Sequence, residues 1–156
     1  MVRSLTRCET RPWWLLLLPL CFLLHIFEER WAGEGFVAWT GRLVSSPITT
    51  NRFLVINAIG WPTFSALTLL AIMRSRLAWL AAALATMLLM NACLHALGTV
   101  ITRAYSPGLV TSLLLYPPIC IAAIRYSHRT TAGAAFALAV GAGILAHALV
   151  LFAAFG

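Results

Sequence analysis

Residues 77–102 read LAWLAAALATMLLMNACLHALGTVIT, a stretch without arginine, lysine, aspartate or glutamate. A helix that crosses a bilayer needs about 20 mostly apolar residues, so this stretch predicts a membrane-spanning helix. It also carries two strongly polar side chains, Asn91 and His95, four residues apart. Such side chains are costly inside a bilayer and often belong to a functional site. The stretch therefore predicts a membrane fold and one part of a site.

The whole chain has the composition of an integral membrane protein. Of its 156 residues, 62% are hydrophobic and 10% are charged, whereas about 25% are charged in water-soluble domains. We expect a single all-α domain over residues 1–156, a polytopic bundle of about five transmembrane helices. The predicted spans are residues 12–29, 53–73, 77–102, 107–125 and 132–155.

The segment between the first two predicted spans, residues 30–52, has a different character. It interleaves Trp31, Phe36 and Trp39 with glycine, threonine and arginine. Aromatic residues beside arginine suit the membrane interface, so we expect a loop with a short interfacial helix. The first apolar run could instead be a cleaved signal peptide, but no A-x-A-like site follows it.

Eleven arginines and no lysine give the chain a net charge of +7. The arginines stand at the ends of the apolar runs, which indicates topology determinants and excludes a nucleic-acid surface. Five spans place seven on one side (Arg3, Arg7, Arg11, Arg74, Arg76, Arg125 and Arg129) and four on the other. The excess predicts a multi-pass protein of the plasma or inner membrane, with a cytoplasmic N-terminus and the C-terminus outside.

Polar side chains of all five predicted spans lie at a similar depth, toward the outer side. His25, Glu28 and Glu29 share one helix face because they are three and four residues apart, and so do Asn91 and His95. The candidates for catalysis are His25, Glu28, Glu29, His95 and Tyr105. Candidates for binding or support are Asn57, Asn91, Ser112, Tyr116 and His147.

Two kinds of chemistry fit these residues. His25, Glu28, Glu29 and His95 could bind a divalent metal, such as zinc or iron. The same groups could do metal-free acid/base work, with a buried glutamate sharing its proton with a histidine. No motif indicates a nucleotide, haem or flavin. Arg30 could hold one of the two glutamates as an ion pair and leave the other free to titrate.

Three features together resemble the bacterial HXXEE family of membrane proteins. They are His25-x-x-Glu28-Glu29, the intramembrane histidine His95 in an Asn91-x-x-x-His95 pattern, and Tyr105-Ser-Pro-Gly108. The family is described by the HxxEE motif, a further histidine and a YxPG motif. The resemblance supports a site formed by these residues and implies no particular reaction.

Three functions are compatible with the sequence. The first is a small membrane-embedded enzyme that isomerises, cyclises or hydrolyses a lipophilic small molecule from the bilayer. The second is a binder, carrier or subunit that handles a metal, a proton or a small lipophile. The third is a structural bundle whose glutamates point away from His95. The fifth span has Ala139, Gly143 and His147 at four-residue spacing, which favours close helix contact and allows oligomerisation.

Overall fold

A computed structural model describes residues 11–156, so that Arg3 and Arg7 of the predicted topology lie outside the described residues. The described part contains seven α-helices and two 3-10 turns, and it contains no strand. One turn, Trp13–Leu16, leads into the first helix, and the other, Ser75–Leu77, precedes the fourth. The helices are α1 Leu17–Trp31, α2 Phe36–Gly41, α3 Thr50–Met73, α4 Trp79–Thr102, α5 Leu109–Leu114, α6 Tyr116–Thr130 and α7 Gly133–Phe155.

The chain runs back and forth between two ends of the bundle. At one end, Trp14 packs edge-on against Tyr126 with ring centroids 6.1 Å apart. At the other end, which we call the α2 end, Phe36 of α2 packs in one cluster with Phe53 of α3 and Ala154 of α7. Within residues 11–156, five passes connect these two ends and alternate in direction.

Three of these passes are long and apolar enough to cross a membrane. They are Thr50–Met73, Ser75–Thr102 and Gly133–Phe155. These helices support a membrane location, whereas the predicted number of five spans and the orientation stay predictions. The pass through α1 combines a 15-residue helix with the preceding 3-10 turn.

The predicted span 107–125 is divided into two helices. α5 ends at Leu114, and α6 begins at Tyr116 with Pro117 and Pro118 in its first turn. Proline has no N–H to bond to the preceding turn, so the pair favours the start of a helix and prevents a continuous one. Beyond the prolines, α6 continues to Thr130, five residues past the predicted end of the span.

α4 is the central helix and packs against α1, α3, α5, α6 and α7. More than half of its candidate membrane-spanning stretch is buried, whereas less than a fifth is buried in the corresponding stretches of α3 and α7.

The close helix contact predicted for the fifth span is formed between α7 and α4 of the same chain. A Cβ on Gly143 would lie 2.3 Å from the carbonyl oxygen of Ala83, so only glycine allows this approach of α7 to α4. Self-association through α7, still a prediction, would use its outward side, where Leu138 and Leu145 are exposed.

The predicted interfacial segment contains α2, which folds over one end of the bundle. Gly35 has φ +80° at the start of α2, a conformation that favours glycine. Phe36 and Trp39 of α2 are buried against Ile48 and Phe53. The segment therefore covers the end of the bundle where the candidate site lies.

Candidate functional site

Three candidate residues from two helices meet at the α2 end. Oε1 of Glu29 lies 3.4 Å from Nε2 of His25, one turn earlier on α1. The same oxygen lies 3.3 Å from Nε2 of His95 on α4. The two histidines are fully buried and Glu29 is 8% exposed. The prediction that these helices bring histidine and glutamate together is thus confirmed for Glu29, and the carboxylate does not point away from His95.

The Nδ1 atom of each imidazole contacts a hydroxyl group. Nδ1 of His25 lies 3.0 Å from Oγ1 of Thr111, and Nδ1 of His95 lies 2.9 Å from Oγ of Ser106. The rings are 4.9 Å apart and nearly perpendicular, at 79°. Because the hydroxyls occupy the Nδ1 side, both Nε2 atoms face Glu29.

A chain of hydrogen bonds fixes the tautomer of His25. The hydroxyl of Thr111 donates to Oε2 of Glu28, so its oxygen is left to accept from Nδ1–H of His25. A neutral His25 then has its lone pair on Nε2. The side-chain amide of Asn91 lies 3.1 Å from that atom, placed to donate to it.

Gly108 of the Tyr-Ser-Pro-Gly stretch closes one side of the cluster. Its φ is +101°, and an added Cβ would lie 2.6 Å from Cε1 of His25 and 2.7 Å from Cε1 of His95. Any side chain at this position would therefore displace the rings. The glycine thus permits the close approach of the two imidazoles.

Glu28 points toward the start of α5 and away from the cluster. Its carboxylate accepts hydrogen bonds from the backbone N–H groups of Val110, at 2.9 Å, and Thr111, at 2.6 Å. The hydroxyl of Tyr105 also donates to it. Burial and this hydrogen bond raise the pKa of Tyr105 to about 12. Among the described residues neither glutamate pairs with Arg30, so the predicted ion pair is absent: Glu28 binds α5 and Glu29 binds the histidines.

Four supporting candidates lie around the cluster. The Asn57 amide donates to the backbone of its own helix at Phe53, and the Ser112 hydroxyl donates to Leu109 in the same way. Tyr116 is buried with its ring 5.2 Å from that of His25. His147 is 7% exposed. Among the described residues, the Tyr116 hydroxyl and Nε2 of His147 have no hydrogen-bond partner.

Glu29 lies between two cavities. The first, which we call the apolar cavity, has a volume of about 120 Å³, and its polar lining consists of Glu29, Asn57, Asn91 and His147. The second, which we call the polar cavity, has a volume of about 210 Å³ and includes Arg30, Glu34 and Thr50 in its lining. Phe36 and Phe53 line both cavities. The carboxylate can thus be approached from an apolar and from a polar side.

Two residues that orient the histidines, Ser106 and Thr111, are absent from the predicted site. Ser106 is the variable residue of the Tyr-x-Pro-Gly pattern, and Thr111 follows Gly108 by three residues. The only sequence signal for them is their closeness to this pattern, because their partners depend on how the chain turns between α4 and α5.

The cluster fits a metal ion. His25, Glu29 and His95 each offer one ligand atom, and these atoms all lie within 4.8 Å of one another. In tetrahedral zinc sites with bonds of about 2.0–2.2 Å, neighbouring ligand atoms are about 3.3–3.5 Å apart. The separations of Glu29 Oε1 from His25 and His95, 3.4 and 3.3 Å, agree with this value. Glu28 is outside the group, since hydrogen bonds engage both of its oxygens.

Comparisons with known proteins agree with the motifs of the site. Searches of curated proteins and of solved structures found no significant match to the chain. A family model matches residues 16–123, the range that contains His25, Glu28, Glu29, His95 and the Tyr105–Gly108 stretch. The chain belongs to the family described as a protein of unknown function with HXXEE motif.

Proposed function

We propose that the chain is a membrane-embedded enzyme whose reaction centre consists of His25, Glu29 and His95. The observation that carries the proposal is the buried meeting of one carboxylate oxygen with two imidazole nitrogens, at 3.3 and 3.4 Å, beside a cavity. Ionisable groups are costly to bury, and such groups in a pocket commonly serve a reaction. The apolar lining of the cavity favours a lipophilic substrate.

The two glutamates have different roles in this proposal. Glu29 moves a proton to or from the substrate, with His95 as its partner. Glu28 is a positioning residue, because it reaches the centre only through Thr111 and His25. Tyr105 donates to Glu28 and thereby acts one step further from the substrate. Reactions that need only such groups are isomerisation and cyclisation.

A divalent metal would extend the chemistry to hydrolysis. Two imidazole nitrogens and one carboxylate oxygen suit zinc and non-haem iron. The distances from Glu29 match a tetrahedral zinc site. A metal bound there would polarise a carbonyl group or activate a water molecule. The hydroxyls of Thr111 and Ser106 would then orient the metal-binding rings, as outer partners of metal-binding histidines commonly do.

The metal-free alternative is favoured by one contact. The Asn91 amide lies 3.1 Å from Nε2 of His25, where it uses the lone pair that a metal would need. In this state His95 and Glu29 form the working acid/base pair, and the Asn91 amide occupies Nε2 of His25. Elemental analysis of the purified protein decides between the two alternatives, since one metal ion per chain supports the first and its absence after loading with zinc supports the second.

Transport of an ion across the membrane fits the molecule less well. On the α6 side of the cluster, the core toward the opposite end is apolar, with Leu18, Leu88, Cys120 and Ala123 buried together. A polar path would have to cross this layer. A carrier that binds a lipophile without reaction would use the same pocket. Turnover of a substrate distinguishes an enzyme from such a carrier.

Turnover can be sought without knowing the substrate. The purified protein is incubated in mixed micelles with a total lipid extract of bacterial membranes, and changes in lipid mass are followed by mass spectrometry. We expect substrate and product masses that change with the wild type and stay constant with Glu29→Gln and His95→Ala. The matched control is His128→Ala, because His128 packs on Phe136 of α7, outside the cluster. Masses that change equally with all variants, or with none, would contradict the proposal.

A further inference from the structure

We propose that the lipophilic substrate is a membrane lipid with a single hydrocarbon chain, which enters sideways between α3 and α7, and that His147 binds its polar end. This inference rests on the proposed function and adds the substrate class and the route. Three observations carry it: a groove on the spanning helices, its junction with the apolar cavity, and a buried histidine nitrogen without a partner.

The first observation is an apolar groove of about 410 Å³ along α3, α4 and α7, which we call the lateral groove. All three helices are candidate membrane spans, so a hydrocarbon chain is the molecule that would surround them. Gly143 and Ala83, which make the close contact between α7 and α4, both line the groove. Along α4 the groove extends from Trp79 to Met87, which at 1.5 Å per residue is about 12 Å.

The second observation is that the lateral groove and the apolar cavity share part of their walls. Gly60 of α3, Met87 of α4 and Val150 of α7 line both. One residue of each helix thus stands at the junction, and beyond it lies the carboxylate of Glu29. A Cβ on Gly60 would have no neighbour within 4 Å, so the missing side chain leaves the junction open.

The third observation concerns the polar wall of the apolar cavity. Asn57 donates to the Phe53 carbonyl and Asn91 contacts His25, so both amides already have partners. Nε2 of His147 has none among the described residues, although the side chain is more than nine-tenths buried. His147 lines the cavity, but its Nε2 is itself closed to solvent, so the ring would turn toward the cavity to bond a hydroxyl or carbonyl group on the substrate. A neutral imidazole nitrogen can donate or accept such a bond.

The volumes favour one chain with a small polar end. An apolar cavity of about 150 Å³ holds one benzene molecule, so the apolar cavity, at about 120 Å³, takes a polar group and a short piece of chain. The rest of the chain would lie in the larger lateral groove. His147 is then a positioning residue for the substrate, about one helical turn from the groove residue Gly143.

The test uses photoreactive palmitic acid analogues with a diazirine near either end of the chain, in phosphatidylcholine vesicles that contain the full-length protein. Labelled residues are located by mass spectrometry. A diazirine near the methyl end should label the groove, at Leu67 or Leu84, and one near the carboxyl end should label the cavity, at Ile56 or Leu88. Labelling spread evenly over outward residues such as Leu149 would overturn the inference.

A matched pair of variants tests the route. Gly60→Trp fills the junction and should abolish cavity labelling, whereas Gly141→Trp places the same side chain at an open position of α7 that lines neither cavity nor groove. Gly60→Leu, a smaller change, guards against misfolding. His147→Leu should raise the probe concentration that half-saturates cavity labelling and leave groove labelling in place. Cavity labelling that persists in Gly60→Trp and Gly60→Leu would refute the lateral route.

The labelling and the turnover experiment fail independently. Labelling requires occupancy and no reaction, so it can succeed where the enzyme proposal fails, as for a carrier. Conversely, turnover that depends on Glu29 without labelling of the lateral groove would support the enzyme proposal and refute the lateral route.

Discussion

Oε1 of Glu29 lies 3.3 Å from Nε2 of His95, so the last full turn of α1 and the second half of α4 share one buried contact. The same oxygen is 3.4 Å from His25. Three groups that can each take a proton or a metal therefore surround one small space. Neighbouring residues determine the shape of this space and the charge of the groups around it.

The first prediction concerns the space that Gly108 leaves for the rings. In Gly108→Ala the new Cβ would overlap Cε1 of His25 and His95, at 2.6 and 2.7 Å, and the φ of +101° would strain any side chain. We expect lower thermal stability in detergent and, if the cluster takes a metal, less zinc retained after loading. The control is Gly33→Ala, whose φ is +59° but whose Cβ would only touch Tyr105, at 3.4 Å. Thermal midpoints that fall equally in the two variants would contradict the prediction.

The second prediction separates the two adjacent glutamates. Glu28→Gln puts an amide among N–H and O–H donors, and leaving such groups unpaired costs about 1–3 kcal/mol of the free energy of unfolding. We expect it to lower the thermal midpoint and weaken metal binding only partly. Glu29→Gln removes a metal ligand, so we expect abolished metal binding. It also removes the desolvation cost of a buried charge while weakening its contacts with the two histidines, and because these effects oppose each other we expect a small change in midpoint. The opposite ranking of the two variants in midpoint and metal content would refute this division of roles.

The third prediction addresses the hydrogen-bond chain from Glu28 to His25. Thr111→Val keeps the shape of the side chain and removes the hydroxyl, so that Nδ1–H of His25 loses its acceptor. We expect a mixture of His25 tautomers by nitrogen NMR and about 10- to 100-fold weaker zinc binding, the usual effect of losing an outer partner. Ser112→Ala is the control, because within residues 11–156 its hydroxyl bonds to the Leu109 carbonyl of its own helix turn and not to a histidine. A tautomer unchanged in Thr111→Val would be inconsistent with the assigned chain.

The fourth prediction is a pH dependence at Tyr105, which lies between α4 and α5. Its pKa is about 12 in the folded protein, against an ordinary value of 10.0. The folded state therefore holds the proton where the unfolded state releases it. The stabilisation is complete below pH 10 and decreases as the pH rises toward 12. The difference in phenolate absorbance between wild type and Tyr105→Phe should have its midpoint near pH 12, and a midpoint near 10 would show that the hydroxyl does not bond to Glu28.

Helix geometry explains why part of the site could be predicted. His25 and Glu29, four residues apart, must share a face of any helix, as must Asn91 and His95. Alternating passes then bring the end of α1 to the second half of α4. These regularities need no knowledge of side-chain packing, which is why the central contact follows from the sequence.

The parts that could not be predicted depend on a turn. Glu28 and Glu29 are neighbours in an apolar helix, and only the position of α5 decides which one faces the histidines. That position follows from Arg103, which has a left-handed φ of 53° at the end of α4, and from Gly108. Ser106 and Thr111 become partners of the histidines through the same turn. The break before α6 follows from Pro117 and Pro118, which have no N–H groups to continue a helix from α5.

The place of Glu29 between the polar and the apolar cavity has a consequence for kinetics. A reaction there would combine reactants from two solvents, with protons or water arriving from the aqueous side and the lipid from the bilayer. The quantity that governs occupancy is then the mole fraction of the lipid in the membrane and not its amount per volume of suspension. Adding inert phospholipid at constant total substrate would slow the reaction by surface dilution, whereas adding buffer would leave its rate per protein molecule unchanged.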